Sequence, residues 1–176
     1  MSEKVVVTGG AGFIGHVFIK KLIENTDYEI ISMDRLDYSG NLNRISDMMQ
    51  NYDSKTQSRL KIIHHDLKAE INNLVQSQIG DVKHIFHIAA SSHVDRAIED
   101  PMTFVQDNVV ATCNILNYAR QLDNLETFVY FSTDEVFGPA PEGIKFKEWD
   151  RYNSTNPYSA TKAGGDGTLV YDSGTG

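Results

Sequence analysis

Tyr158 and Lys162 stand four residues apart, a spacing that puts a phenol and an ammonium on one face of a helix. An ammonium beside a phenol stabilises the phenolate, so such a pair lets tyrosine, whose ordinary pKa is about 10, serve as a base near neutral pH. Thr133-Asp134-Glu135 lies 25 residues before the tyrosine (158 minus 133) and offers a hydroxyl and two adjacent carboxyls. Two carboxyls held in opposite protonation states can act as acid and base in one reaction. Taken alone, the Tyr-x-x-x-Lys spacing also describes an exposed helix face, and the acidic pair also describes a solvated turn.

A second constellation near the start of the chain bears on that choice. The β-branched run Lys4 to Val7 leads into Thr8-Gly9-Gly10-Ala11-Gly12-Phe13-Ile14-Gly15, with glycines at 9, 12 and 15 between a strand and a helix. The first glycine permits a tight turn, the second lets backbone approach a pyrophosphate, and the third lets helix and strand pack closely. The helix start offers unpaired N–H groups to phosphates. Gly9, Gly12, Phe13, Ile14 and Gly15 are therefore cofactor-binding candidates. Asp34 ends the second strand, 19 residues beyond Gly15 (34 minus 15), where a carboxylate accepts both ribose hydroxyls of an adenosine. It repels a 2′-phosphate and so favours NAD, while Arg35 keeps NADP open. His65-Asp66-Leu67 and Ile88-Ala89-Ala90-Ser91-Ser92 close two further strands. Asp66 could accept from the adenine amino group, and the small residues Ala89, Ala90 and Ser91 let backbone lie against the cofactor or simply pack closely.

These residues need a scaffold that brings strand ends together. Lys4–Val7, Glu29–Met33, Leu60–Ile63, Val82–Ile88 and Leu125–Phe131 read as strands, and their nearly continuous apolar character fits a sheet covered on both faces. Helical patterns fall between them at 12–24, 42–50, 69–78 and 102–120, with Pro157 suited to the first turn of another. The alternation predicts an α/β fold with a doubly wound parallel sheet. Gly164, Gly165, Gly167, Gly174 and Gly176 crowd the end of the chain. Each glycine inside a helix costs about 1 kcal/mol relative to alanine, so residues 165–176 are expected to form an irregular or truncated tail.

The 176 residues, 40% hydrophobic, suffice for one domain. A formal charge of −8, from 16 basic and 24 acidic residues, gives nucleic acid or an anionic membrane no general attraction. Cys113 is the sole cysteine, so no internal disulfide forms, and the cytoplasm is the expected location. Met1 to Lys4 runs directly into a strand, and neither a signal peptide nor a membrane span is expected. His64, His65, His84 and His87 lie at strand spacings that do not converge as ligands, so no metal is expected.

Together, the Gly9–Gly15 turn, Asp34, Ala89-Ala90-Ser91-Ser92-His93-Val94-Asp95-Arg96, Ser132-Thr133-Asp134-Glu135-Val136 and Asn156-Pro157-Tyr158-Ser159-Ala160-Thr161-Lys162 resemble the extended short-chain dehydrogenase/reductase family. Within it they are most similar to the dTDP-glucose 4,6-dehydratases, over about residues 4–164. The resemblance implies an NAD-binding Rossmann domain over 1–164 and a nucleotide-diphosphate sugar as substrate. It implies that Tyr158, helped by Thr133 and Lys162, takes the O4 proton while C4 gives hydride to NAD. Glu135 then removes the C5 proton, Asp134 protonates the departing 6-hydroxyl, and hydride returns to C6. It places Ser92 and Thr133 against the sugar, gives His93, Asp95 and Arg96 a loop-holding role, and implies a homodimer built on the 102–120 and Tyr158 helices. Asp107 stands where the family often has a threonine near the cofactor. The family's substrate domain follows the Tyr-x-x-x-Lys helix, but 14 residues follow Lys162 here (176 minus 162). The fold is thus expected to be C-terminally truncated without that domain, its dimer weakened and its turnover poor. A 4-epimerase and a non-catalytic NAD-binding module are the competing readings. The segment 138–153, with Trp149, would cover the sugar or form a surface excursion.

Overall fold

The computed structural model describes residues 2–169. Its centre is strand β1 (Lys4–Thr8), flanked by β2 (Glu29–Asp34), β3 (Leu60–His64), β4 (His84–His87) and β5 (Thr127–Tyr130). All neighbours are parallel, in the order β3-β2-β1-β4-β5. Val6 is paired with Ile31 on one side and Ile85 on the other. Side chains alternate between faces along a strand, so Val5 and Val7 point to one layer and Val6 to the other, and all three are fully buried. This is why the run carries no polar alternation. Val5, Val7 and Ile30 pack with Ile19, Leu22, Ile45 and Met48 from helices α1 (Phe13–Asn25) and α2 (Leu42–Met49). Val6, Ile31, Met33 and Ile85 pack on the opposite face with Ile79, Ile115 and Tyr118. The doubly wound α/β expectation is met.

The order reverses between β1 and β4, which opens a crevice at the carboxyl ends of those strands. Shorter elements trim the expected ones. A four-residue helix, α3 (Ser54–Gln57), precedes β3, and α4 spans Asn73–Ile79 instead of starting at 69. Asn72 fixes that start, because its side chain accepts from the Leu74 and Val75 N–H groups. Helix α5 (Val94–Glu99) has no counterpart among the expected elements. The pattern at 102–120 is a composite of α6 (Pro101–Val105), a π-helical stretch (Gln106–Val110) and α7 (Ala111–Ala119). A π-helical insertion adds one residue to the turn, and here the consecutive residues Asp107 and Asn108 are both buried. Phe104 and Ile115 are buried as well, while Val105, Val109 and Leu116 are half-buried.

The last helix, α8 (Pro157–Leu169), runs through Gly164, Gly165 and Gly167, five residues beyond Gly164. Glycine is an asset here because the helix crosses close to the sheet. A Cβ on Gly165 would collide with the Tyr130 phenol and crowd the Asn108 carbonyl. The remaining tail, 170–176, lies outside the described residues. Gly165→Ala is expected to destabilise the chain by about 1–3 kcal/mol, as overpacking does, despite alanine's better helix propensity; urea unfolding measures it.

Candidate active site

A cavity of about 530 Å³ opens at the carboxyl edge of the sheet. Its floor is the glycine turn. Gly9 has φ of 70°, its N–H donates to the Met33 carbonyl, and a Cβ there would strike the Ala89 backbone. A Cβ on Gly15 would overlap the Gly9 carbonyl oxygen. Gly12 caps α1 without any side-chain hydrogen bond, leaving the first N–H groups of the helix turned toward the cavity mouth. Phe13 and Ile14 line the cavity while 79% and 59% exposed, apolar surface placed to meet a ligand. The cradle fits a dinucleotide pyrophosphate: it is built of backbone, offers N–H donors, and would be filled by a side chain at either Gly9 or Gly15.

On the β2 side, Asp34 is held in place by two backbone donors, Ala11 N–H at 3.0 Å and Leu36 N–H at 2.8 Å. Leu36 adopts φ of 58°, left-handed and unfavourable for a branched apolar residue, and the Asp34 contact helps fix it. Asp66 and Leu67 line the same side, with Asp66 3.4 Å from Lys68 Nζ. Arg96 lies 4.1 Å above the Tyr38 ring and so ties α5 to the loop after β2. Ala89, Ala90, Ser91 and Ser92 form the wall beneath β4. The Ser91 N–H donates to the Asn108 side chain, and the Asn108 amide donates back to the Ser91 carbonyl. Asp107 has only 3% of its side chain exposed and accepts from Arg35 and Ser91.

On the β5 side, Tyr158 and Lys162 of α8 line the cavity. Thr133, Asp134 and Glu135 lie near enough to Tyr158 to act on its phenol, though only Tyr158 of the four lines the cavity. Thr133 caps the 3-10 turn Asp134–Phe137 by accepting from the Glu135 N–H. Asn156 belongs to the motif quoted above without a role there; it caps α8 through the Ser159 N–H and donates to Glu135 Oε2 at 2.9 Å. An Asn-Pro pair at a helix start is the signal that could have found it.

The electrostatics differ from the expected pairing. Burial raises the Tyr158 phenol above its ordinary value, Thr133 opposes the rise, and Glu135 and Asp134 add to it. Lys162 does not lower it, because its ammonium is 2.6 Å from the Phe131 carbonyl and 4.0 Å above the Tyr130 ring. Burial pushes Lys162 itself down to about 8, with Asp166 opposing. Below pH 8 both folded and unfolded chains hold that proton. Between pH 8 and 10.5 the unfolded chain holds more of it, so this group makes stability rise with pH. Urea unfolding from pH 8 to 10 is expected to show a gain on the order of 2–3 kcal/mol that disappears in Lys162→Met.

His87 is fully buried between the Thr8 and Thr112 hydroxyls, and burial holds it down to about 3 with help from Lys162. His84 does meet two carboxylates. Glu3, His84 and Glu126 bring donor atoms within 4.8 Å of one another beside the amino ends of β1, β4 and β5, away from the cavity. Lys83 already pairs with Glu126. The 138–153 segment is held by Phe137, which stacks on Phe146 and meets Tyr152 edge-on, and not by Trp149, which is 75% exposed. Among the described residues no helix is long and apolar enough to cross a membrane.

This combination of glycine cradle, β2 carboxylate and Tyr-x-x-x-Lys helix has counterparts. A family model described as GDP-mannose 4,6 dehydratase matches residues 6–171. The chain belongs to that family. Over 182 residues it is 35% identical to the dTDP-glucose 4,6-dehydratase of Salmonella typhimurium, a match covering 93% of this chain and 48% of the relative. Among solved structures in the dehydratase and epimerase group, it resembles DesIV, the dTDP-glucose 4,6-dehydratase of Streptomyces venezuelae with NAD and TYD bound. That match has a TM-score of 0.81 at 34% identity and covers 93% of this chain and 49% of that one. A UDP-N-acetylglucosamine 4-epimerase from Methanobrevibacter ruminantium matches at 27% identity and a TM-score of 0.79, covering 97% of this chain and 51% of that one. The chain spans about half the length of these relatives.

Proposed function

We propose that the chain is the cofactor-binding and catalytic part of an NAD-dependent nucleotide-sugar 4,6-dehydratase, a lyase of the dTDP-glucose type. The observation that carries this reading is Tyr158 in the lining of the glycine-floored cavity, with Thr133, Asp134 and Glu135 close enough to act on its phenol and following directly on the lining residues Phe131 and Ser132. The likeness to dehydratases that carry the same cofactor supports it.

When bound, NAD supplies a nicotinamide that accepts a hydride and later returns it. The chain's own residues handle protons. Tyr158 takes the proton of the sugar's O4, with Thr133 beside it easing deprotonation. The phenol accepts that proton only as the phenolate, so its own proton must first pass to solvent; burial and the two carboxylates oppose that loss, and Lys162, one turn on, favours it once its ammonium leaves the Phe131 carbonyl. Oxidation at C4 acidifies the neighbouring C5–H. Glu135, aimed by Asn156, removes that proton, while the exposed Asp134 delivers one to the departing 6-hydroxyl. Ser92 contacts the sugar. Gly9, Gly12, Phe13, Ile14, Gly15, Asp34, Asp66, Leu67, Ala89, Ala90 and Ser91 bind the dinucleotide, with Arg35 and Asp107 at its adenosine end. The reading includes a cytoplasmic enzyme, in keeping with its single cysteine, and pairing of two copies through the 102–120 stretch and α8.

The test is incubation with NAD and dTDP-glucose, followed by mass spectrometry and the alkaline absorbance of a 4-keto-6-deoxy sugar. Loss of water from the sugar is the expected result. An epimer of unchanged mass would replace this reading with a 4-epimerase, and NAD binding without any change in the sugar would favour a non-catalytic module.

A further inference from the structure

Two arginines line the cavity near Asp34, and their partners differ in kind. Arg44 donates to the neutral carbonyl oxygens of Ala11 and Ser39. Arg35, directly after Asp34, is enclosed by carboxylates. Its Nη1 and Nη2 reach the two oxygens of Asp107 at 2.5 and 2.7 Å, and its Nε and Nη2 reach Asp37 Oδ2 at 2.7 and 2.6 Å. The fork-on-fork pairing with Asp107 spans 72 residues of sequence and exists because the π-helical stretch turns Asp107 inward. Ser91 also donates to Asp107 Oδ2 at 2.6 Å, and Lys68 Nζ stands 3.7 Å from Oδ1.

An arginine at this position is the group that would receive a ribose 2′-phosphate. Two carboxylates cancel its charge and occupy its donors, and the neighbouring Asp34 adds a third negative charge at the same end of the cavity. We propose that Asp107, together with Asp37, sets dinucleotide specificity by withholding Arg35 from a 2′-phosphate, so that the site discriminates against NADP through a residue 73 positions away from Asp34 (107 minus 34). Asp107 is on this view a positioning residue acting through Arg35. The inference rests on the reading that this cavity binds NAD.

Intrinsic fluorescence or calorimetric titration of the purified chain with NAD and with NADP tests it. Wild type is expected to bind NAD and to prefer it over NADP. In Asp107→Asn the preference for NAD over NADP should shrink by about tenfold or more, the scale of one charge-assisted hydrogen bond from the released guanidinium to the phosphate. Adding Arg35→Ala to that variant should restore the wild-type ratio, which separates Arg35 from Arg44. Asp37→Asn, at a more exposed position, should shift the ratio the same way and serves if Asp107→Asn does not fold. An unchanged ratio in variants that still bind NAD overturns the proposal while leaving the NAD reading intact. A shift that survives Arg35→Ala overturns it too. A folded wild type indifferent to both dinucleotides overturns both readings.

Discussion

Gly15→Ala is expected to weaken NAD binding by about a hundredfold or more, equivalent to about 2.7 kcal/mol. The reason is steric and local. A methyl group at this position would lie inside van der Waals contact of the Gly9 carbonyl oxygen and the Gly10 Cα. Both are backbone atoms of the turn, so neither can swing aside as a side chain could. The start of α1 would have to back away from the turn, and its first N–H groups, free because Gly12 supplies no side-chain cap, would leave the place where phosphates meet them. Calorimetric titration measures the effect, and circular dichroism reports whether the sheet survives. Affinity for NAD within a few-fold of wild type would show that the turn does not hold the pyrophosphate.

The second large effect concerns Tyr158. Tyr158→Phe removes one oxygen and is expected to lower nucleotide-sugar turnover by about 10²- to 10⁴-fold, the range for loss of a positioned proton-transfer group. The ring of Tyr158 is only half-buried and keeps its packing in the variant, so NAD binding and stability should change little. Glu135→Gln should likewise suppress loss of water, yet permit the first oxidation, so NADH absorbance builds up on the enzyme without 6-deoxy product. Product mass and the NADH band distinguish the two variants. Undiminished turnover by Tyr158→Phe would remove the phenol from the mechanism.

The parts of this molecule that the sequence announces are those whose causes are local. Val5–Val7 must be a central strand because it has nothing polar to show to water, and positions 9 and 15 need glycine because a Cβ at either would strike backbone. Asp34 follows from its position at a strand end. What the sequence conceals depends on partners far along the chain. Gly165 looks like a helix breaker until Tyr130 and Asn108 are seen beneath it. The 102–120 pattern reads as one helix because apolar residues recur on both sides of the π-helical stretch, and the joint burial of Asp107 and Asn108 appears only in the structure. The spacing of Tyr158 and Lys162 likewise says which face they share but not that Lys162 turns to the Phe131 carbonyl.

A crystal structure of the chain with NAD is the most direct trial of these assignments. The pyrophosphate should rest on the N–H groups at Gly12 to Ile14, the adenosine ribose on Asp34, and the nicotinamide beside the Tyr158 hydroxyl with Glu135 close by. A nicotinamide seated elsewhere, with Tyr158 and Glu135 out of its reach, would contradict the placing of these residues in one reaction.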